Sequence, residues 1–204
     1  MANVGGVSQR GQQAGDRLVK FLFLDIDGVL NAHEYVPEVG CGQIHPDKVA
    51  RLNRVLVATD AKIVLSSAWR YLCHRNEMNL TGLGWLLRSH GVLKDRLIGI
   101  TQPDTMRSNA HIPSYAYSGV PSSWPVGDER GQQIHHWLKT FSNGCYMSGA
   151  EVSYAVVDDL DLGITAAGHP FVQTDGAVGL TDADADRLIE LLGANIPTAN
   201  KQES

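Results

Sequence analysis

Short, continuous apolar runs that alternate with helical patterns are the feature that most limits how this chain can fold. A continuous apolar run is typical of a strand that is covered on both faces, as in a parallel sheet. Runs of this kind predict strands at residues 21–24, 63–65, 97–100, 154–157 and 171–173. Apolar residues at helical spacing predict helices that begin near Pro46, Leu80, Asp128 and Asp182. The alternation predicts an α/β fold with a doubly wound parallel sheet of about five strands.

The predicted domain occupies residues 19–194 of the 204-residue chain, with a disordered segment at 1–18 and a flexible tail at 195–204. No apolar run approaches the length of a membrane span. The three widely spaced cysteines favour a reduced, cytoplasmic setting. The net charge of −5 gives no support for non-specific nucleic-acid binding. Two irregular stretches, 31–44 and 102–127, leave from strand ends and are expected to border a site.

Polar side chains follow the predicted strands at the points where these strands end. They are Asp25 and Asp27 after the first strand, Ser66 and Ser67 after the second, and Asp158 and Asp159 after the fourth. Arg130 lies near the start of the third helix. Because ligands of doubly wound sheets bind beyond the carboxyl ends of the strands, these side chains are expected to form one site.

The types of residue in this set suit phosphate-ester chemistry. A carboxylate such as Asp25 is an oxygen nucleophile that is available at neutral pH. Clustered carboxylates hold Mg²⁺, which offsets the repulsion between nucleophile and phosphate. Asp27 can protonate the leaving oxygen and then activate water, and Gly28 permits the backbone bend that follows. A serine hydroxyl and the planar guanidinium of Arg130 are suitable partners for phosphate oxygens.

The segments DIDGVL, IVLSS and VVDD, together with the basic residue before the fourth strand, resemble in order the four motifs of the haloacid dehalogenase (HAD) superfamily. The segments IVLSSAWR, GDERGQQIHHWL and GLTDADADRL look more closely like the HAD domain of Swiss-army-knife RNA repair proteins. The resemblance spans residues 20–193.

The resemblance implies a Rossmann-like phosphatase with little or no cap domain and an aspartyl-phosphate intermediate. The implied catalytic residues are Asp25 and Asp27, and the implied metal ligands are Asp25, Asp27 (through its backbone carbonyl), Asp158 and Asp159. The implied phosphate-binding positions are Ser66, Ser67, Gly28 and Arg130, where Arg130 replaces the more usual lysine. The substrate is expected to be a phosphorylated molecule, with RNA phosphate ends as one candidate class.

Other interpretations of these residues remain open. A DxD segment also occurs in calcium loops and glycosyltransferases. A receiver domain also gathers acidic residues at strand ends, but it would need its phosphorylated aspartate at the third strand, which here ends in Gly99, Ile100 and Thr101. A domain that only binds phosphate ends in an RNA-processing system would keep the pocket without turnover, and a phosphotransferase would use the same intermediate as a phosphatase. Trp69 is expected mainly to pack on the core, and Arg70 is a candidate substrate contact. The oligomeric state is not predicted.

Overall fold

The sheet has five parallel strands, as the alternating pattern predicts. In the computed structural model, which describes residues 18–32, 43–74, 77–101, 129–143 and 151–193, the strands are β1 (Val19–Leu24), β2 (Lys62–Leu65), β3 (Leu97–Ile100), β4 (Val152–Asp158) and β5 (Phe171–Gln173). Their order across the sheet is β3-β2-β1-β4-β5. In this order the chain moves outward from β1 to β3 and then returns to the other side of β1. The gap between β1 and β4 is therefore the switch point where doubly wound sheets bind ligands.

Helices connect the strands and cover both faces of the sheet. They are α1 (Pro46–Thr59), α2 (Tyr71–His74), α3 (Leu80–Ser89), α4 (Glu129–Asn143) and α5 (Asp182–Leu192), with a 3-10 turn at Ala68–Arg70 before α2. Pro46 starts α1, as a proline can without losing a helical hydrogen bond. Thr181 caps α5 in a capping box with Asp184, in which each side chain accepts from the backbone of the other residue.

The alternating side chains of β1 supply both halves of the core. Leu22 and Leu24 are fully buried against apolar residues of α1, α3 and α5. Phe21 and Phe23 point to the opposite face, where α4 packs. The ring of Trp137 on α4 meets both phenylalanine rings edge to face, with centroids 5.1 and 5.4 Å away. The prediction of a doubly wound α/β fold is confirmed.

Some predictions fall on residues outside the described ranges. These include the disordered ends (apart from Leu18), most of both irregular stretches and the Asp128 cap of α4. Residues 102–128, where a cap domain could be inserted, also lie there, so the small cap stays a prediction. Within the described residues, no helix has the length and apolar character needed to cross a membrane.

Candidate active site at the carboxyl ends of the strands

Asp25 directly follows β1 and Asp158 ends the neighbouring strand β4, and the two residues face each other across the switch point. The N–H of Asp25 bonds the carbonyl of Val157, which keeps the ends of β1 and β4 in register. Each carboxylate is oriented by a backbone donor, because Asp25 Oδ1 accepts from Ile26 N at 2.7 Å and Asp158 Oδ1 accepts from Leu160 N at 2.9 Å. Both residues are buried. The chain therefore fixes one oxygen of each carboxylate and directs the other oxygen toward a shared partner.

That shared partner is Arg130. Its Nη1 atom donates to Asp25 Oδ2 at 2.7 Å and also contacts Asp158 Oδ2. Arg130 lies in the first turn of α4, where the helix dipole disfavours a cation, so the two carboxylates offset an otherwise unfavourable position. Both contacts use one nitrogen, which is the geometry of a point charge rather than a two-pronged fork. The structure thus brings together the basic residue and the acidic residues that the sequence suggested separately.

Burial and mutual charge set the electrostatics of this group. Burial and the neighbouring Asp25 charge raise the pKa of Asp158 to about 8, although Arg130 acts in the opposite direction. Burial lowers the pKa of Arg130, but the attraction of Asp25 and Asp158 outweighs it, so the net shift is upward and the guanidinium stays charged. The site therefore holds a permanent buried cation between two acidic groups.

Asp159 completes a group of acidic side chains that could hold a metal ion. One carboxylate oxygen from each of Asp25, Asp158 and Asp159 lies within 4.8 Å of the others. Three carboxylates form an all-oxygen donor set, which suits a hard cation such as Mg²⁺. A Cβ placed on Gly28 would lie 2.4 Å from the Asp159 carboxyl carbon, and Gly28 has a φ of +72°. Gly28 is therefore needed both for its left-handed backbone and for the close approach of Asp159.

Ser66 and Ser67 follow β2, but their hydroxyls have different surroundings. Ser66 continues the sheet beside Asp25, since its N–H donates to Leu24 O at 2.8 Å. Its hydroxyl oxygen accepts from Thr101 Oγ1 at 3.3 Å, which leaves the Ser66 hydroxyl hydrogen to donate elsewhere. The Ser67 hydroxyl instead accepts the backbone N–H of Trp69 at 3.4 Å. Each serine hydroxyl therefore accepts one bond and keeps its hydrogen to donate, so both Ser66 and Ser67 stay predicted phosphate-binding residues.

Arg70 is 3% exposed and joins the end of β2 to α4. It donates to the Ser67 carbonyl at 2.8 Å and to Gln133 Oε1 at 2.9 Å. These contacts give it a role in positioning the two elements that carry Ser66 and Arg130. Its role as a substrate contact stays a prediction.

The first turn of α4 is fixed by residues that the sequence did not single out. His169 Nε2 donates to the Gly131 carbonyl at 2.8 Å, because a carbonyl can only accept, and His169 Nδ1 accepts from the Tyr154 hydroxyl at 3.0 Å. A Cβ on Gly131 would lie 2.2 Å from the Gly163 carbonyl oxygen. The close packing of Gly131 on His169 and Gly163 places the neighbouring Arg130 at the switch point. No short sequence motif indicates this packing.

Asp27 lies beside this group and is held by two side chains. Trp69 Nε1 lies 3.2 Å from both of its carboxylate oxygens, and Asn31 Nδ2 lies 2.8 Å from Oδ1. Trp69 packs on the core, as expected, and also contacts the carboxylate, which was not expected. The indole N–H of Trp69 was the feature of the sequence that could have suggested this contact, because a buried indole N–H usually has a hydrogen-bond partner.

The Arg130 cation lies between Asp25 and Asp158, Asp159 adds a third carboxylate, and Asp27 stands apart on the loop that follows β1. This arrangement is typical of a hydrolase of the HAD class. The family model for the HAD domain in Swiss Army Knife RNA repair proteins matches residues 21–185, so the chain belongs to that family. None of the curated proteins matches the chain.

Proposed function

We propose that this protein is a Mg²⁺-dependent phosphatase that cleaves phosphate monoesters through an aspartyl-phosphate intermediate on Asp25. The observation that carries the proposal is the convergence of Asp25, Asp158 and Asp159 around the Arg130 cation at the switch point. Asp25, Asp158 and Asp159 would hold the Mg²⁺, with the Asp27 backbone carbonyl as a further ligand. When bound, the ion would supply positive charge that offsets repulsion between the carboxylates and the phosphate.

In the first step, an Asp25 carboxylate oxygen attacks phosphorus while the bond from phosphorus to the leaving oxygen breaks. Asp27 gives its proton to that oxygen, so the leaving group departs as an alcohol. Arg130 and the Ser66 hydroxyl stabilise the negative charge on the phosphoryl oxygens. In the second step, Asp27 takes a proton from water, and the resulting hydroxide oxygen attacks phosphorus. Phosphate leaves and the Asp25 carboxylate is restored.

The contacts of Asp27 support turnover over the binding-only alternative. A domain that only binds phosphate ends has no need of an oriented second carboxylate, whereas here two donors position one. Because the family name refers to RNA repair, we propose RNA phosphate ends as the first substrate class to examine. Transfer of the phosphoryl group to another acceptor would use the same intermediate and differs only in the second step.

The test is phosphate release by the wild-type protein from an aryl phosphate and from end-phosphorylated RNA oligonucleotides, in Mg²⁺ and in EDTA. We expect Asp25→Asn to abolish release in Mg²⁺ while cooperative unfolding is retained. Asp95→Asn is the matched control, because Asp95 is exposed on a surface turn. Full activity of the Asp25→Asn variant would disprove the mechanism. Tight binding of phosphorylated ends with no release by the wild type would favour the binding-only alternative.

A further inference from the structure

The carboxylate of Asp27 is held between two N–H donors that come from different parts of the chain. The indole Nε1 of Trp69, from the 3-10 turn after β2, is 3.2 Å from both Oδ1 and Oδ2. The amide Nδ2 of Asn31, four residues further along the same loop as Asp27, is 2.8 Å from Oδ1. The orientation of this carboxylate is therefore set by side chains and does not depend on the backbone bend alone.

Both donors are themselves held in place. The N–H of Gly28 donates to Asn31 Oδ1 at 2.9 Å, which leaves the amide nitrogen of Asn31 to face Asp27. Asn31 is buried. The Trp69 ring packs against the apolar core, and its backbone N–H bonds the Ser67 hydroxyl. Because neither donor has to reorganise when the charge of Asp27 changes, both can stabilise a carboxylate as it forms.

The two oxygens of Asp27 are not equivalent. Among the described residues, Oδ1 accepts from both Asn31 Nδ2 and Trp69 Nε1, whereas Oδ2 accepts from Trp69 Nε1 alone. A proton on the neutral acid is best carried by the oxygen with fewer donors. Oδ2 is therefore the better position for a proton on the neutral acid.

We propose that Trp69 is a positioning residue that acts through Asp27, by donating its indole N–H to the carboxylate that forms when Asp27 protonates the leaving oxygen. The inference rests on the proposed phosphatase function. The O–H bond of Asp27 breaks as the bond from phosphorus to the leaving oxygen breaks, and the electron pair of that second bond ends on the leaving oxygen with the proton. Trp69 itself exchanges no proton and touches neither phosphate nor metal in this scheme.

The test compares substrates whose leaving groups differ in their need for a proton. An alkyl phosphate expels a poor leaving group and depends on acid assistance, whereas p-nitrophenyl phosphate expels a stable phenolate and does not. Proton transfer by a positioned side chain contributes on the order of 10²–10⁴-fold, so loss of one of two donors should remove about tenfold. We expect Trp69→Phe to lower kcat/KM about tenfold for the alkyl ester and by less than about twofold for the aryl ester. We use kcat/KM because it reports the step in which the leaving group departs.

Two comparisons separate this role from general damage to the fold. Trp85→Phe makes the same substitution at a side chain that is 67% exposed, and it should leave both rates unchanged. In an Asp27→Asn background, Trp69→Phe should have no further effect on the alkyl ester, because Trp69 acts only through Asp27. If Trp69→Phe does not fold, replacing Trp69 with benzothienylalanine removes the N–H at nearly constant shape, and the same leaving-group dependence is expected.

Equal slowing of both esters by Trp69→Phe would overturn the inference, as would an additive effect in the Asp27→Asn background. In either case the wild type would still hydrolyse the esters, and the proposed phosphatase function would stand. A wild-type protein with no turnover of any ester would instead overturn the proposed function, and this inference with it.

Discussion

Replacement of Arg130 by methionine removes the buried charge and keeps a side chain of similar length. The acidic groups of Asp25 and Asp158 then remain in a buried site without their shared cation. Breaking a buried ion pair by removing one partner costs about 3–5 kcal/mol. We therefore expect Arg130→Met to lower the free energy of unfolding by about 3–5 kcal/mol without metal.

The loss should grow with pH. Arg130 lowers the pKa of Asp158 against the effects of burial and Asp25, so its removal lets that pKa rise further above about 8. The folded Arg130→Met variant then keeps a proton on Asp158 that the unfolded chain has already released. Raising the pH therefore favours unfolding. Arg130→Lys should recover about half of the lost free energy, because both contacts of Arg130 converge on one nitrogen that an ammonium group can replace.

The assay is urea unfolding in EDTA at pH 6 and pH 9, with the slope of each transition checked for constancy. Arg88→Met is the matched control, since Arg88 is an exposed arginine on α3. It should change the free energy of unfolding by no more than about 0.5 kcal/mol. An Arg130→Met variant as stable as the control at both pH values would show that Arg130 does not stabilise the buried carboxylates.

Further predictions concern Asp158 and the start of α4. Because the pKa of Asp158 is raised from 3.8 to about 8, the metal-free protein should lose stability as the pH rises between these values, by up to about 1.4 kcal/mol per pH unit. Urea titrations in EDTA at pH 5 and pH 8 should show this loss in the wild type and a smaller one in Asp158→Asn; equal losses would contradict the assignment. Gly131→Ala should destabilise the protein by about 1–3 kcal/mol and lower the proposed phosphatase activity, because the added Cβ would meet the Gly163 carbonyl. Gly84→Ala on α3, whose Cβ would have its nearest neighbour at 3.8 Å, is the control in thermal unfolding and activity assays. Equal stability and activity in the two variants would show that the start of α4 is not tightly packed.

The sequence was sufficient for the sheet because its central strands are buried on both faces. Their apolar runs are continuous, and short apolar runs also identified the two edge strands at residues 97–100 and 171–173, which are only partly buried. The first strand was predicted two residues too short because Lys20 lies within it. A lysine usually marks the surface, but Lys20 is buried and its Nζ contacts the Gly193 carbonyl.

The acidic residues and Arg130 could be found from sequence because each directly follows a strand or starts a helix. The contacts that orient them could not be found in this way, because they join residues far apart in the chain. The indole N–H of Trp69 reaches a carboxylate 42 positions away, and His169 bonds a carbonyl 38 positions away. Neither contact is marked by a pattern of neighbouring residues in the sequence.

Covalent phosphorylation of Asp25 during turnover is the step that defines the proposed mechanism. Its most direct test is to mix the wild-type protein with Mg²⁺ and an aryl phosphate, quench in acid within the first turnover, and locate the phosphoryl group by peptide mass spectrometry. We expect an acid-stable, base-labile phosphoryl group on Asp25 that is absent from Asp25→Asn. Rapid turnover with no phosphoryl group on Asp25, or with one on another residue, would disprove the aspartyl-phosphate mechanism.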